Sequence, residues 1–225
     1  MIATPDLIEA LAADAGPVRR LRHPLWRAAC WLLLAAIIVL LIAVEVGIRA
    51  DIDDRLRQTM FVVGLAAAAL TGILAAIAAF MVSLPDRSRG WLLLPAPALI
   101  VWLSTIGYQC LTAWVKIGPA GIAPGETARC FATLFLTSFP LSLTLLLMLR
   151  YAAPVRPTET VMAGALAVAA ITATAISLFH DIDATIMILM WNIGIAALLV
   201  GLGGTYARRL FAWVAPRPLS PLAIS

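Results

Sequence analysis

The stretch "TMFVVGLAAAALTGILAAIAAFMV", residues 59–82, contains no charged side chain. A helix needs about 20 apolar residues to cross the hydrocarbon layer of a membrane, and this stretch is long enough. Its apolar residues follow one another without the alternation that is typical of strands in a membrane β-barrel. The stretch therefore predicts a transmembrane helix. Gly64, Ala68 and Gly72, spaced four residues apart, predict a face that packs closely against a neighbouring helix.

Five further windows of the chain meet the same length criterion. The six predicted spans cover residues 28–48, 59–82, 91–114, 130–149, 161–179 and 184–207. Because hydrocarbon offers no hydrogen-bond partners, the backbone in these windows must be helical. We predict an all-α integral membrane protein, a six-transmembrane-helix bundle over residues 28–207. A cytoplasmic N-terminal segment, 1–27, with a short amphipathic helix precedes the bundle, and a cytoplasmic C-terminal tail, 208–225, follows it.

Three prolines, Pro95, Pro97 and Pro140, fall inside the third and fourth windows. Proline is tolerated in membrane helices because neighbouring groups satisfy the freed backbone carbonyls. We interpret these prolines as packing features. The alternative is that they kink the helices beside a binding cavity.

The charged residues indicate orientation rather than nucleic-acid binding. The chain is 63% hydrophobic with a formal net charge of +4, and its basic residues lie between the apolar runs. The connections on one face hold eleven of the 16 Lys and Arg residues; those on the other face hold five, three of them in the loop 49–58. Cytoplasmic connections carry the excess of basic residues. Both termini are therefore predicted to be cytoplasmic.

The spans offer little for catalysis or ion transport. Glu45 is the one acid inside a predicted span, three residues from the outer end of its window. An ionisable group near the bilayer centre costs at least about 2.5 kcal/mol and usually marks an ion or proton path. The sequence has no HExxH, GxSxG or glycine-rich phosphate loop. We expect no enzymatic activity and no cofactor. A small six-helix transporter or channel for a neutral solute stays open as the alternative.

The first residues predict a helix that binds a protein. Thr4 and Pro5 suit the start of a helix, and Gly16 follows its last turn. One arc is apolar and the polar face is acidic: the arc holds Leu7, Ile8, Leu11, Ala12 and Ala15, and the polar face holds Asp6, Glu9 and Asp14. A helix that lies on lipid normally carries Lys and Arg on its polar face. An apolar groove with a basic rim on a partner protein fits this helix better.

The stretch that follows, "PVRRLRHP" at residues 17–24, has the opposite charge. Arg19, Arg20 and Arg22 lie within a few residues of the first span. They suit lipid headgroups, a role in topology, or acidic groups on a partner. The plainer alternative is an unstructured lead-in whose bases only fix orientation.

Three cysteines make neither a disulfide framework nor a metal-binding pattern. Cys130 opens the fourth window next to Arg129, and a helix N-terminus and a neighbouring cation both favour the reactive thiolate. Cys110 lies four residues from the outer end of the third window, at a similar depth. The alternative for each is a small side chain that packs in the bundle.

The stretch "LFHDIDAT", residues 178–185, closes the hairpin between the fifth and sixth windows. His180 at one helix end, with Asp181 or Asp183 at the start of the next, suits the helix dipoles and N-capping. The alternative is a sensor of a metal ion or of protons, since His and carboxylates bind divalent cations.

Several of these stretches occur together in one family of bacterial regulators. They are the six spans, "DLIEALAADAGPVRRLRHP" at the start, "ARCFATLFLTSFPL" entering the fourth span, "FHDIDAT" before the sixth and "WNIGIAALLVGLGG" within it. Because of these stretches, nearly the whole chain resembles the NrsF family of membrane anti-sigma factors. The resemblance implies a bacterial inner-membrane protein that keeps an extracytoplasmic-function sigma factor from RNA polymerase until envelope, oxidative or metal stress is sensed. The expected partners are that sigma factor and the lipid bilayer, without direct contact to nucleic acid.

The resemblance also implies roles for individual residues. The sigma-binding residues would be Asp6, Leu7, Ile8, Glu9, Leu11, Asp14, Pro17, Val18, Arg19, Arg20, Leu21 and Arg22. Family members often carry one thiol entering span four and one directly after the histidine of the fifth hairpin. Here Cys130 matches the first position, and Asp181 occupies the second. The alternatives are that Cys110 replaces the missing thiol, that Cys130, His180 and Asp181 form a mixed metal site, or that sensing has been lost or moved.

Overall fold

All regular secondary structure in the described part of the chain is helical. The computed structural model describes residues 9, 13, 22–114, 124–149, 156–179, 198 and 201–202, and the side chains within 108–131 are outside that description. No strand occurs in these ranges. The elements are α1 (Pro24–Val46), α2 (Ile52–Leu56), α3 (Thr59–Val82), a 3₁₀ turn (Arg89–Leu93), α4 (Ala96–Trp114), α5 (Pro124–Leu149) and α6 (Pro157–Phe179).

Five helical segments of the described chain are long and apolar enough to cross a membrane, judged by length and composition. They are Pro24–Val46, Thr59–Val82, Arg89–Gly107, Ala132–Leu149 and Pro157–Phe179. They correspond to five of the six predicted spans and confirm the all-α class. The sixth predicted span, 184–207, lies outside the described residues apart from three helical positions, 198, 201 and 202. The predicted N-terminal helix also lies outside them, except for Glu9 and Ala13, which are helical.

Helix α1 begins four residues before the apolar window predicted for it. Pro24 occupies the first helical position, where its fixed φ suits the helix and its missing N–H costs nothing. The side chain of His23 accepts a hydrogen bond from the backbone N–H of Leu25, with 3.4 Å between the two nitrogens. The helix ends before Gly47, whose φ of +83° is a conformation that residues with a side chain rarely adopt. The early start places Arg27 inside α1.

The third predicted span consists of two elements. Residues 89–93 form the 3₁₀ turn, and α4 begins only at Ala96. Pro95 therefore precedes α4, and Pro97 lies in its first turn, where a proline removes no intrahelical hydrogen bond. The prediction of one continuous helix over 91–114 with both prolines inside it is wrong, because the α-helix starts where these prolines permit it. Pro140 lies inside α5, as predicted.

Contacts at the two ends of the bundle show that α1 runs antiparallel to α3 and α5. At one end, called the Arg27 end below, the Arg27 guanidinium lies over the ring of Phe80 near the C-terminus of α3. Arg27 also donates to the carbonyl of Met148 near the C-terminus of α5. At the opposite end, the backbone N–H of Arg49, beyond α1, donates to the carbonyl of Leu178 in the last turn of α6, at 3.2 Å. Helices α1 and α6 therefore run in the same direction.

Helices α3 and α6 pack closely in the centre of the bundle. A Cβ built on Gly72 would lie 2.8 Å from Cδ1 of Ile171 in α6. One turn earlier in α3, Ala68 is buried in a cluster with Ala170 of α6. Small residues along such a seam let two backbones approach each other. The predicted packing face is confirmed at Ala68 and Gly72, and Gly64 is half-buried.

Candidate functional site

The predicted sigma-binding segment joins the bundle at the start of α1. Arg22 is exposed next to the capping residue His23, and Glu9 is exposed in a helical conformation. The other predicted contact residues lie outside the described part of the chain: Asp6, Leu7, Ile8, Leu11, Asp14, Pro17, Val18, Arg19, Arg20 and Leu21. Their arrangement stays a prediction. The structure describes the point at which the segment is attached.

Arg27 is buried at this attachment point, with 8% of its surface exposed. Its Nη2 donates to the backbone carbonyl of Met148 at the end of α5. Its guanidinium carbon lies 5.2 Å from the centre of the Phe80 ring, within the range of cation–π attraction. Its Nη1 is buried and has no hydrogen-bond partner within the part of the chain that the structure describes. The sequence predicts for Arg27 the same roles as for the neighbouring arginines, namely contact with lipid headgroups, a role in topology or contact with acidic groups on a partner.

Trp31 extends the contact between α1 and α5 by one turn. Its indole is fully buried, and Nε1 donates to the carbonyl of Leu141 at 3.3 Å. Residues four apart on a helix lie on the same face, so Arg27 and Trp31 both reach α5. The Leu141 carbonyl also accepts a hydrogen bond from the hydroxyl of Thr144, at 3.1 Å. We call the set of Arg27, Trp31, Leu141 and Met148 the α1–α5 seam.

Further arginines at the Arg27 end bind the connection between α3 and α4 to the start of α6. Arg156, directly before α6, donates through Nη1 to the carbonyl of Arg87 at 2.7 Å. Arg89 in the 3₁₀ turn pairs with Glu159 in the first turn of α6, with 3.2 Å between nitrogen and oxygen, and the Arg89 side chain is 72% exposed. These contacts hold the connection against the start of α6. The attachment point of the predicted segment and this group of arginines therefore lie at the same end of the bundle.

The opposite end carries a charge cluster around Asp51. The carboxylate accepts a hydrogen bond from Nη2 of Arg49 at 2.8 Å and from Nε of Arg55 at 3.1 Å. The hydrogen bond from Arg49, together with that from Arg55, holds the pKa of the Asp51 carboxyl well below its usual range. Arg49 is buried, and its backbone N–H donates to Leu178 of α6. The cluster therefore holds the connection between α1 and α3 against the end of α6.

The predicted signal-sensing residues fall on two helices and on a stretch outside the description. Cys110 belongs to α4 and Cys130 to α5. Because α5 begins at Pro124, Cys130 lies six residues past the helix start, whereas the helix dipole acts mainly within the first turn. The prediction that Cys130 sits at a helix N-terminus is therefore wrong. The side chains of both cysteines, and the whole of His180 and Asp181, lie outside the described residues.

The described interior of the bundle is mostly apolar. An open groove of about 490 Å³ lies between α1 and α6, and Thr174 is the one polar residue among the described residues that line it. A second cavity, of about 180 Å³, lies between α5 and α6, and Leu202 of the sixth predicted span lines it together with Leu149 and Thr160. Within the described ranges, no three His, Cys, Asp or Glu residues lie together as a metal site requires.

The fold and its attachment point define a class of protein, an all-helical bundle compatible with insertion into a membrane and carrying a charged N-terminal segment at one end. The chain belongs to the NrsF family, described as negative regulator of sigma F, whose family model matches residues 11–213. The match confirms the resemblance found in the sequence. Comparisons with curated proteins and with solved structures give no match.

Family membership defines the general role of the chain. The family is one of negative regulators of a sigma factor, so membership implies a sigma factor as partner. It also indicates a regulatory role rather than a catalytic one. The matched residues, 11–213, include part of the N-terminal segment and every helix described above.

Proposed function

We propose that this protein is a membrane-anchored anti-sigma factor. Its cytoplasmic N-terminal segment, residues 1–27, binds an extracytoplasmic-function sigma factor at the bacterial inner membrane and releases it on an envelope, oxidative or metal stress signal. The observation that carries the proposal is the family match over residues 11–213, which includes the basic motif at 17–22. Binding at the membrane keeps the sigma factor away from RNA polymerase, and release switches on transcription.

The charge of the N-terminal segment supports a sigma factor as its occupant. Sigma factors are helical proteins with basic DNA-facing surfaces, which attract the acidic side chains of this segment. Leu7, Ile8 and Leu11 supply the apolar anchors with which a short helix binds in a groove. Glu9 is exposed, so its carboxylate is available to a basic partner. The same segment has no basic residue before Arg19 that would bind it to anionic lipid.

Release requires only a modest change in free energy. A helix of about three turns is too short to be stable alone in water, so this segment orders on its partner and its affinity depends on how the bundle presents it. A coupling free energy of about 3 kcal/mol changes an affinity about 150-fold. Repacking of a few helix contacts is sufficient to withdraw or mask the segment.

Signal sensing is proposed for the end of the bundle opposite to the Arg27 end. Cys130 in α5 and Cys110 in α4 are the candidate thiols. The mixed site of Cys130, His180 and Asp181 is the alternative arrangement, since a carboxylate and an imidazole with a thiolate bind divalent metals. The Asp51 cluster lies at the same end, against the last turn of α6 that precedes His180.

The described interior gives no support to a small transporter or channel. Ionisable residues that face a water-filled cavity usually mark a substrate, ion or proton path. In the described spans, the hydroxyl groups of Thr71 and Thr137 donate to carbonyls of their own helices, each at 2.7 Å. Ser138 and Thr172 bond to each other at 3.1 Å. The hydrogen bonds of these four hydroxyl groups are explained by helix structure and packing.

The proposal is tested with the full-length chain, tagged and solubilised from membranes, as bait for soluble cytoplasmic proteins of the same bacterium. We expect the wild type to capture an extracytoplasmic-function sigma factor, identified by mass spectrometry. The double variant Leu7→Asp and Leu11→Asp removes the apolar anchors and abolishes capture. Leu56→Asp is the matched control, because Leu56 is an exposed leucine in α2, at the opposite end of the bundle.

Two results would contradict the proposal. One is a wild-type bait that captures no sigma factor. The other is a bacterium that lacks residues 1–21 of this protein and still regulates the corresponding genes normally. A loss of capture in Leu56→Asp equal to that in the double variant would point to general damage to the fold and would also count against it.

A further inference from the structure

Two pairs of helices in the bundle are joined by different kinds of contact. Helices α3 and α6 are joined by small apolar residues such as Gly72, and α6 is the most buried of the described spans. Helix α1 is the least buried of them, and two side-chain hydrogen bonds, from Arg27 and Trp31, connect it to α5. A close-packed pair resists displacement because any shift leaves voids or clashes. Helix α1 also packs Ala28, Trp31 and Ala35 into the apolar core, and these two directional bonds are added to that packing at its start.

Arg27 is buried more deeply than an arginine that only sets the topology needs to be. An arginine that only marks the cytoplasmic side extends its guanidinium to headgroups and water. Arg27 keeps 8% of its surface exposed, and withdrawal of its charge from water is costly. The groups that offset this cost are the carbonyl at the C-terminal end of α5, which the helix dipole makes negative, and the ring of Phe80. The contact therefore has a defined geometry, set by the position of α5.

Arg27 lies directly after the segment that is proposed to bind the sigma factor. Arg22, the last residue of the proposed contact motif, precedes it by five positions. Between them, His23 caps α1 and Pro24 fixes the backbone at the first helical position. A rotation or axial shift of the first turn of α1 consequently moves the motif. The position of the C-terminal end of α5, together with Phe80 of α3, therefore affects where the chain enters α1.

We infer that Arg27 is a positioning residue: through the Met148 carbonyl and the Phe80 ring it holds the start of α1, and with it the sigma-binding segment, in the orientation that binds the sigma factor. The hydrogen bond from Trp31 to the Leu141 carbonyl is the second contact that holds the start of α1 against α5. The inference rests on the proposed function and adds the way in which the segment is held. A displacement of α5 breaks both hydrogen bonds between α1 and α5, while the α3–α6 pair stays in place.

The test uses the full-length chain in lipid nanodiscs and compares four variants with the wild type. Arg27→Met keeps an apolar stem but removes the charge and the donors, and Arg27→Lys keeps a charged donor. Trp31→Phe keeps an aromatic ring and removes the Nε1 donor. Arg89→Met is the matched control, because Arg89 lies at the same end and is exposed. The two readouts are hydrogen-exchange protection of the amides of residues 28–31 and affinity for the sigma factor that the wild type captures.

We expect Arg27→Met to lower both the protection and the sigma-factor affinity about tenfold, the size of effect that loss of a hydrogen bond to a charged group produces. Arg27→Lys recovers most of both, Trp31→Phe lowers both to a smaller extent, and Arg89→Met changes neither. If Arg27→Met does not fold, the same two readouts in the Trp31→Phe variant decide the outcome.

The two readouts separate the possible failures. Unchanged protection in Arg27→Met and Trp31→Phe overturns the inference, and so does lost protection with unchanged sigma-factor affinity. A wild-type chain that binds no sigma factor contradicts the proposed function instead. In that case the exchange measurement still decides whether Arg27 holds the start of α1.

Discussion

Ile171 in α6 occupies the space in which a side chain at position 72 of α3 would lie. A Cβ built on Gly72 would be 2.8 Å from Cδ1 of Ile171 and 3.3 Å from its backbone nitrogen. The methyl group can rotate away, but the backbone nitrogen moves only if the helix moves. The distance between α3 and α6 is therefore set at this point by the absence of a side chain in α3.

Gly72→Ala is expected to destabilise the bundle by about 1–3 kcal/mol, the usual cost of overpacking. The measurement is reversible unfolding in detergent, followed by circular dichroism. Gly107→Ala is the matched control, because no atom lies within 4 Å of a Cβ built on Gly107, and its effect should stay within about 0.5 kcal/mol. Adding Ile171→Val, which removes Cδ1, should recover part of the loss. Equal effects of the two glycine substitutions would contradict the close approach of α3 and α6.

The Asp51 cluster predicts a specific dependence of stability on pH. The native pKa of Asp51 is lower than the value of about 3.9 of an unfolded aspartate. Its contribution to stability is therefore complete above about pH 4 and is lost as the pH falls through the lower native pKa. The difference in unfolding free energy between the wild type and Asp51→Asn should be constant from pH 7 to pH 5 and shrink in more acidic buffer.

The same unfolding series with Asp53→Asn is the control for this pH dependence, because Asp53 is exposed in the same connection. Its difference from the wild type should be small throughout the range. A difference between the wild type and Asp51→Asn that does not diminish under acid would show that the ion pairs with Arg49 and Arg55 do not stabilise the fold.

The acidic face of the N-terminal segment predicts salt-dependent binding. Replacing Asp6, Glu9 and Asp14 by Asn, Gln and Asn removes the three negative charges and leaves the side chains nearly unchanged in shape. This variant should bind the sigma factor about tenfold more weakly at low salt, mainly through slower association, and should lose most of the salt dependence of the wild type. Stopped-flow association at several salt concentrations measures both effects. An unchanged salt dependence would place the electrostatic contact elsewhere in the chain.

The predicted orientation is tested by thiol labelling in intact cells. In a chain whose three natural cysteines are replaced, single cysteines are introduced by Arg22→Cys, Leu56→Cys and Arg217→Cys. A membrane-impermeant maleimide should label only the cysteine at position 56, and all three should react after the cells are opened. External labelling at position 22 would reverse the orientation. External labelling at position 217 without external labelling at position 22 would contradict an even number of spans.

The five described spans could be predicted because hydropathy over about 20 residues is a local property of the sequence. The start of α4 could not be placed from the same average, because a hydropathy window does not distinguish a 3₁₀ turn from an α-helix. The signal was present in Pro95 and Pro97, since a proline is tolerated in the first turn of a helix and disrupts its interior. For Cys130, the apolar window began later than the helix, which starts at Pro124.

The contact between Arg27 and α5 could not be predicted from the sequence, for a different physical reason. The donor Arg27 and the carbonyl of Met148 are separated by 121 positions in the chain, and any residue type at position 148 would supply the same acceptor. The sequence therefore contains no pattern that pairs them. The Asp51 cluster is local, and its spacing of two and four residues from Arg49 and Arg55 could have indicated it.

The α1–α5 seam has an unusual consequence for how the protein can diverge. Both acceptors, at positions 141 and 148, are main-chain oxygens, which every amino acid supplies. Substitutions at these two positions leave the acceptors in place. If Arg27 or Trp31 is lost, however, no exchange of a side chain on α5 can compensate. Inheritance of these two hydrogen bonds consequently depends on their donors, and the Phe80 ring on α3 is the side-chain partner with which Arg27 would covary.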